Sequence, residues 1–586
     1  AAGLTGPASE GHIYKTSANI NYLLAFEGDP GSEIFSLIPV TRADSNSPWG
    51  YDANGTLVEN LNLTEVTSKL GTAPVEPDVL GTIMQNNGTS THYASDPFYN
   101  GQGLGDGDDI IITYSFVEED ATNLGDDYTS PDPTSDKIWG FTDAQKEQTR
   151  EALSAFSDVA NIYFHEISET DEIVGTFRFG MTDHALNGNK DAAGWAFGPG
   201  GSYANADVWI ANYDTTDPDA YAAAHDMSTG TIGALTLLHE IGHALGLPHN
   251  MKASSAYPVD SLRSGSFTQK FGIATTIMDY ARYNYVAQPG DKNIRFVRQL
   301  GPYDDYSIEW GYRYFGKSPE EEKEILRKFV DKKSLNPIYM FGGYGNDPNS
   351  QTENIGDDPV KASMYGIKNL KIVAENLKDW TVEPNENYNE LEELYGELIG
   401  VYRRYIYHVH SLVGGIYDTP HNQNQKGVSR YLNVDVNKQI EALNFLEKHL
   451  WNTQNWLMEK NLISQIKGEG VLNTLQGLQL SAFNRMLNSD KLNRMLSSKE
   501  SLNGNGLSVS GLIDNLFESI IRKQSVIDLS EQRLQIHFVS RLDQLLEDEK
   551  LNPTIKSKLL ETKNEIHKFA KRKSGAHYKY LKLISK

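Results

Sequence analysis

Residues 239–249 read HEIGHALGLPH, and no other stretch restricts the fold of this chain so strongly. His239 and His243 stand four apart, so on a helix they share one face about a turn from each other, and two imidazoles reach a single ion. Glu240 sits beside that face, where its carboxylate can accept from a water bound to such an ion. Gly246 tolerates a positive φ, which ends the helix and turns the chain back. That reversal brings His249 round as a third ligand. Three neutral imidazoles leave the fourth tetrahedral position of zinc open to water, the coordination of a catalytic site. One Zn2+ per chain is therefore the expected cofactor.

Two histidines four apart on a helix are usually plain surface or core residues. HExxH alone arises by chance in roughly one chain in a hundred of this size, and Gly246 and His249 at fixed offsets cut that roughly a thousandfold. The chain contains no cysteine. That excludes disulfides, thiolate zinc sites and a cysteine nucleophile, and leaves His, Asp and Glu as ligands.

At 586 residues the chain exceeds what one hydrophobic core supports, so several domains are expected. The net charge is -25, and residues 1–300 hold 15 Lys+Arg against 40 Asp+Glu while residues 301–586 hold 38 against 38. The acidic first half speaks against a nucleic-acid partner. No run approaches the ~18 apolar residues that cross a bilayer, and the N-terminus lacks a basic stretch followed by an apolar one.

Residues 1–100 read as an extension, β-rich or irregular, with strand-like pieces at Ile20–Phe26 and Glu33–Val40. Sequons at Asn54, Asn62 and Asn87 read more simply as turn chemistry than as glycosylation sites. Residues 101–355 form the expected catalytic domain. Its order is a strand over IIITYSFV, a helix of about five turns opened by a capping box at Thr142–Gln145, strands at Ile162–Ile167, Gly175–Phe179, Gly194–Phe197 and Ala206–Ile210, then a helix from Thr231 into the motif. Residues 356–586 read as an all-α domain, with helical patterns at Tyr388–Leu412, Asn437–Leu457, Gly468–Leu487, Ser508–Arg522, Leu529–Leu546 and Ile555–Lys571.

HExxHxxGxxH followed by a methionine turn is the signature of the metzincin proteases. Thr275-Thr276-Ile277-Met278-Asp279-Tyr280 supplies that turn. Residues 108–249, with DDIIITYSF, FSDVANIYFHEI, DVWIAN and LTLLHEIGHALGLPH, resemble a serralysin or matrixin catalytic domain. Residues 250–586, with MKASSAYPVDSLRS, TTIMDYARYNYVAQPGD and GPYDDYSIEWGYRY, resemble a little-characterised family of large bacterial zinc-dependent metalloproteases, and the two resemblances meet at the zinc motif.

The resemblance implies an α+β metzincin catalytic domain, a twisted mixed sheet with an active-site helix, followed by the all-α domain. It implies a zinc metalloendopeptidase with His239, His243 and His249 on the metal, Glu240 as general base, Tyr280 at the zinc or the oxyanion, and Met278 as the structural methionine. It also implies an extended peptide or protein substrate pairing with the edge strand at Gly194, Trp195, Ala196 and Phe197. A secreted location, or one in the bacterial cell envelope, goes with it. The serralysin pattern fails at Asn250, where that family has proline, in the missing glycine-rich calcium repeats, and in the long N-terminal segment. The rival reading is a binding or scaffold protein that keeps a zinc fold, but such proteins lose the glutamate or a ligand, and here all are present.

Weaker candidates remain. Asp183 and His184 occupy the loop where matrixins hold a second zinc, but one histidine is too few. His408 and His410 point to different sides of a helix. GDGDD at 105–109 could take Ca2+, yet acidic turns are common and nothing else supports calcium. Residues 551–586 hold 10 Lys+Arg against Glu561 and Glu565 alone, which reads as a solvated end or as a segment drawn to an acidic surface.

Overall fold

The computed structural model describes the backbone of residues 12–15, 21–27 and 34–38, then residues 110–118, 121, 138–157, 159, 162–169, 175–182, 194–196, 206–211 and, apart from short gaps, 231–586. The sequons, GDGDD at 105–109, Asp183, His184 and Phe197 lie outside the described residues. Near the N-terminus β1 (His12–Lys15), β2 (Asn21–Glu27) and β3 (Ile34–Ile38) pair as an antiparallel meander; β2 and β3 fall on the pieces expected to be extended, and β1 was not foreseen.

The central sheet contains β4 (Ile110–Phe116), β5 (Ile138–Trp139), β6 (Ile162–Glu166), β7 (Phe177–Thr182), β8 (Gly194–Ala196) and β9 (Val208–Ala211). Its order is β6-β4-β7-β9-β8, with the short β5 beside β7. β4 runs parallel to β6 and β7, and β7 parallel to β9, while β8 is antiparallel to β9 and forms an edge. The sheet is mixed, as expected. Alternation along β4 explains why both its faces are buried differently. Ile112, Tyr114 and Phe116 enter the apolar core, whereas Thr113 meets Thr176 at 3.0 Å and Ser115 donates to Glu169 at 2.7 Å. The same Glu169 pairs with the fully buried Arg178 at 2.8 Å.

Helix α1 (Asp143–Ser157) opens with the expected box: the Thr142 amide donates to Gln145 Oε1 at 2.7 Å, and the Gln145 amide to Thr142 Oγ1 at 3.3 Å. It ends about one turn sooner than its sequence suggests. Helix α2 (Thr231–Ala244) carries the motif, and Leu235, Leu237, Ile241 and Ala244 are all buried. Apolar on nearly every side, it is held against α1 and β9 as an interior helix.

Beyond it come α3 (Gly265–Phe271), α4 (Pro302–Tyr312), α5 (Pro319–Lys333), α6 (Pro359–Thr381), α7 (Asn389–Leu412), α8 (Val436–Leu446), α9 (Lys460–Ile463), α10 (Gly468–Met486), α11 (Ser489–Ser501), α12 (Val509–Leu516), α13 (Leu529–Glu547), α14 (Pro553–Lys571) and α15 (Ala576–Ile584). The C-terminal region is mainly helical rather than all-α, since Ile416–Asp418 pairs antiparallel with Tyr431–Asn433, and two expected single helices are interrupted. α8 passes into a π turn at Glu447–Trp451, and α12 into another at Phe517–Ile521. Each wider turn sets successive side chains inward: His449, Leu450 and Trp451 are all buried.

Two cores result. One joins the sheet, α1 and α2 to Tyr303, Tyr306 and Trp310 of α4 and to Leu326 and Val330 of α5. The other is formed by the later helices and also takes Tyr257, Ile273, Ala281 and Tyr285 from the segment after the motif. Ile277 and Met278 belong to the first core and Ala281 to the second, so the chain crosses between them at this turn.

Candidate metal centre

Helix α2 stops where the third histidine requires it to. Gly246 adopts φ +90, its amide donates to His243 O at 2.8 Å, and the Leu247 amide donates to Gly242 O at 2.8 Å. This paired closure satisfies two terminal carbonyls and reverses the chain. His249 then faces the helix from the returning strand. Its neighbour Asn250 fixes the return: the Asn250 amide donates to Met278 O at 3.2 Å, its side-chain amide to Met340 O at 3.0 Å, and its Oδ1 accepts from the Gly342 amide at 3.0 Å. Proline there would supply neither the amide nor the side-chain bonds.

The three imidazoles converge through Nε2. His249 Nε2 lies 3.2 Å from His239 Nε2 and 3.0 Å from His243 Nε2. Ligands about 2.0–2.1 Å from a tetrahedral zinc stand about 3.3 Å apart, so these two separations suit that ion, and the three ligand atoms together lie within 4.8 Å of one another. The remaining ring nitrogens of the two helical histidines are oriented by the backbone. His239 Nδ1 donates to Ile277 O at 2.9 Å and His243 Nδ1 to Leu247 O at 2.8 Å, which leaves the Nε2 lone pairs pointing inward. Burial holds all three neutral: the His239 ring is pushed well below its ordinary range, His243 to about 4 and His249 to about 3. Neutral imidazole is the ligating form. Among the described residues, this triad is the one cluster of three or more His, Asp or Glu side chains suited to a metal.

Glu240 is buried beside the triad, and desolvation pushes its carboxyl up to about 8 against a smaller opposing pull from Arg298. A β-carbon on Gly194 would come 3.2 Å from Glu240 Cγ, so the edge strand β8 runs directly over this side chain. Tyr280 places its ring 4.5 Å from that of His249 and 5.8 Å from that of His239.

The turn at 275–280 is held by three charged residues that the sequence pattern did not single out. Asp304, in the first turn of α4, accepts from the Thr276 hydroxyl and from the Ile277 amide at 2.9 Å, and burial pushes its carboxyl up to about 7. Asp279 accepts from the Ser254 amide at 2.7 Å and the Ala281 amide at 2.9 Å. Arg298 donates to Ile277 O at 2.7 Å and also to Asp279 O. Ile277 O therefore serves both Arg298 and His239. Gly301-Pro302 followed by Asp304 is a helix-start pattern and was the available signal for one of the three.

The weaker candidates divide. His408 and His410 are buried apart, His408 Nε2 donating to Thr352 O at 2.9 Å and His410 Nε2 to Ala482 O at 3.2 Å, so they share no ion.

Comparisons with known proteins agree with this geometry. A family model described as Met-zincin matches residues 226–526, and one described as Matrixin matches residues 136–267. Serralysin G of Dickeya chrysanthemi is 34% identical over 148 residues, 24% of this chain and 27% of that protein. Serralysin of Photorhabdus sp. (strain Az29) is 26% identical over 194 residues, 33% and 35% of the two chains. Serralysin B of Dickeya chrysanthemi is 26% identical over 256 residues, 40% and 50%. The chain thus spans about half or less of these curated relatives. A solved structure titled "Structure of myroilysin" covers 35% of this chain and 93% of its own at 14% identity and a TM-score of 0.19, a likeness too slight to argue from.

Proposed function

Because the chain belongs to the Met-zincin family, whose model spans 301 of its 586 residues, we propose that it is a zinc-dependent endopeptidase acting on peptides or proteins in extended form. The observation that carries this reading is the convergence of three Nε2 atoms beside a buried glutamate under an edge strand. His239, His243 and His249 would hold the ion. Zinc bound there lowers the pKa of its water and polarises a carbonyl.

The chain's own residues supply the rest. Glu240, buried beside the ligands, would take the proton of the attacking water and pass it to the leaving amine, the charge of an ion held by the triad offsetting the burial that raises its carboxyl. Tyr280 donates from its hydroxyl to the developing oxyanion, a role worth on the order of 3 kcal/mol where such donors have been removed. Gly194, Trp195 and Ala196 present backbone groups along the open side of β8, where a substrate strand would add antiparallel; Phe197, expected to continue this edge, lies outside the described residues. Met278 acts structurally beneath the ligands. Its resemblance to serralysins supports a location outside the cell or in the bacterial cell envelope. Among the described residues, no helix is long and apolar enough to cross a membrane.

Casein digestion with and without a zinc chelator tests this directly. Hydrolysis that stops with chelator and returns with added zinc is expected. Hydrolysis that persists in the fully demetallated protein would overturn it.

A further inference from the structure

The last two helices carry a face that the catalytic reading does not use. α14 and α15 pack as an antiparallel pair, with the Phe569 and Tyr578 rings 6.1 Å apart and His567 Nδ1 donating to Lys582 O at 3.0 Å. Leu581 and Ser585 are buried against this neighbour and fix which side of α15 looks inward. At 100° per residue the opposite side presents Lys579, Tyr580, Leu583 and Lys586 within about a third of a turn, with Lys582 at its margin. Those first four are exposed, Tyr580 at 49% and Leu583 at 60%.

The charge on this end is one-sided. Residues 571–586 contain Lys571, Arg572, Lys573, Lys579, Lys582 and Lys586 and no acidic residue. None of the six is in an ion pair with a described residue, in contrast to Lys558 and Lys563 earlier on α14, which meet Asp514 and Asp543 at 2.7 and 2.6 Å. The last carboxylate before them, Glu565, is already bound by Lys568 at 2.8 Å. Lys571, the last residue of α14, and Arg572 and Lys573, just after it, are all exposed.

We propose that this face is a docking surface for an anionic lipid bilayer. Six unpaired cations complement a negatively charged surface. An acidic protein would need only those charges, and would be matched by a polar rim. Here a tyrosine and a leucine project from the middle of the cationic face, which suits an interface that is charged at the headgroups and apolar just beneath them. Lysine stems are long enough to carry their amines to headgroup level beside buried apolar side chains. Docking by this end would hold the peptidase against an envelope while its substrate strand stays accessible.

Sedimentation of the full chain with phosphatidylcholine vesicles, with and without about 30 mol% phosphatidylglycerol, tests the surface. Binding should require phosphatidylglycerol and should collapse between about 0.05 and about 0.5 M salt, because screening shortens to a few ångströms. Each charge near such a surface is worth roughly fivefold in partitioning, so Lys579→Glu/Lys582→Glu/Lys586→Glu should weaken binding by about a hundredfold or more. Tyr580→Ala/Leu583→Ala, which leaves every charge, should weaken it by about tenfold. If the triple variant fails to fold, Lys571→Gln/Arg572→Gln/Lys573→Gln at the exposed end of α14 tests the same charge. Equal binding to neutral vesicles, unchanged binding by the charge variants, or full binding by the Tyr580/Leu583 variant would overturn the proposal. So would capture by soluble polyglutamate or DNA without any binding to phosphatidylglycerol vesicles.

Discussion

Met278 seats its sulfur against Gly242 so closely that a β-carbon on Gly242 would come 2.4 Å from Sδ. The glycine inside HEIGH is therefore required by packing: the turn at 278 rises into the one position of α2 between the ligands that has no side chain. Leu247 fills the other side, its Cδ1 3.5 Å from the same position. Gly242→Ala gains helix propensity and loses this fit. Overpacking costs about 1–3 kcal/mol, so a lowered melting temperature and a reduced zinc content are expected together. Met278→Leu conserves volume and should cost less than about 1.5 kcal/mol. Thermal melts with elemental analysis check both, and a Gly242→Ala protein as stable and as metal-loaded as wild type would contradict the packing.

Arg298 shares an acceptor with His239, since Ile277 O accepts from its guanidinium and from His239 Nδ1, and would act through it on a metal held by the triad. Arg298→Gln frees the carbonyl and loosens the turn on both sides of Met278. Loss of such an outer partner typically weakens metal binding by about 10–100-fold. Competition with a chromophoric chelator at fixed pH measures this without reference to turnover. Unchanged zinc affinity would mean that the turn holds itself.

Much of the centre was legible because its ligands sit at fixed offsets along one helix and one turn: His239, His243, Gly246 and His249 needed only helical geometry. Asn250, Arg298 and Asp279 were not, because they act on backbone carbonyls and amides, which leave no mark in side-chain patterns, and Asp304 was marked only as part of a helix start. Strand ends moved for a similar reason. Gly175 was expected to begin a strand, but a β-carbon there would lie 2.4 Å from the Ser115 amide, and β7 starts only at Phe177, where the regular ladder with Tyr114 of β4 begins. α6 escaped a periodicity reading because alanine and glycine, Ala362, Gly366 and Ala374, occupy much of its buried side. Its start was nevertheless marked, since Asp358 caps the amides of Val360 and Lys361 at 3.0 Å ahead of Pro359.

Lys491 gives the helical region a pH dependence. Its amine is buried, its nearest hydrogen-bond partner is the Met486 sulfur at 3.9 Å, and desolvation lowers it to about 7. An unfolded lysine titrates near ~10.4, so between about 7 and about 10 the unfolded chain binds more protons and stability rises with pH. Below about 7 the full penalty of the buried charge is present. Lys491→Met should raise the denaturation midpoint at pH 7 and flatten its rise toward about pH 9. A lower midpoint, or an unchanged slope, would contradict this.

The central claim is that Glu240 does chemistry and holds no metal. Glu240→Gln removes the base and keeps the side chain's volume under β8. The variant and wild type should be compared for zinc content and for hydrolysis of the same peptide. A full zinc complement with hydrolysis reduced at least about a hundredfold is predicted. Hydrolysis near the wild-type rate, or loss of the zinc itself, would contradict the account.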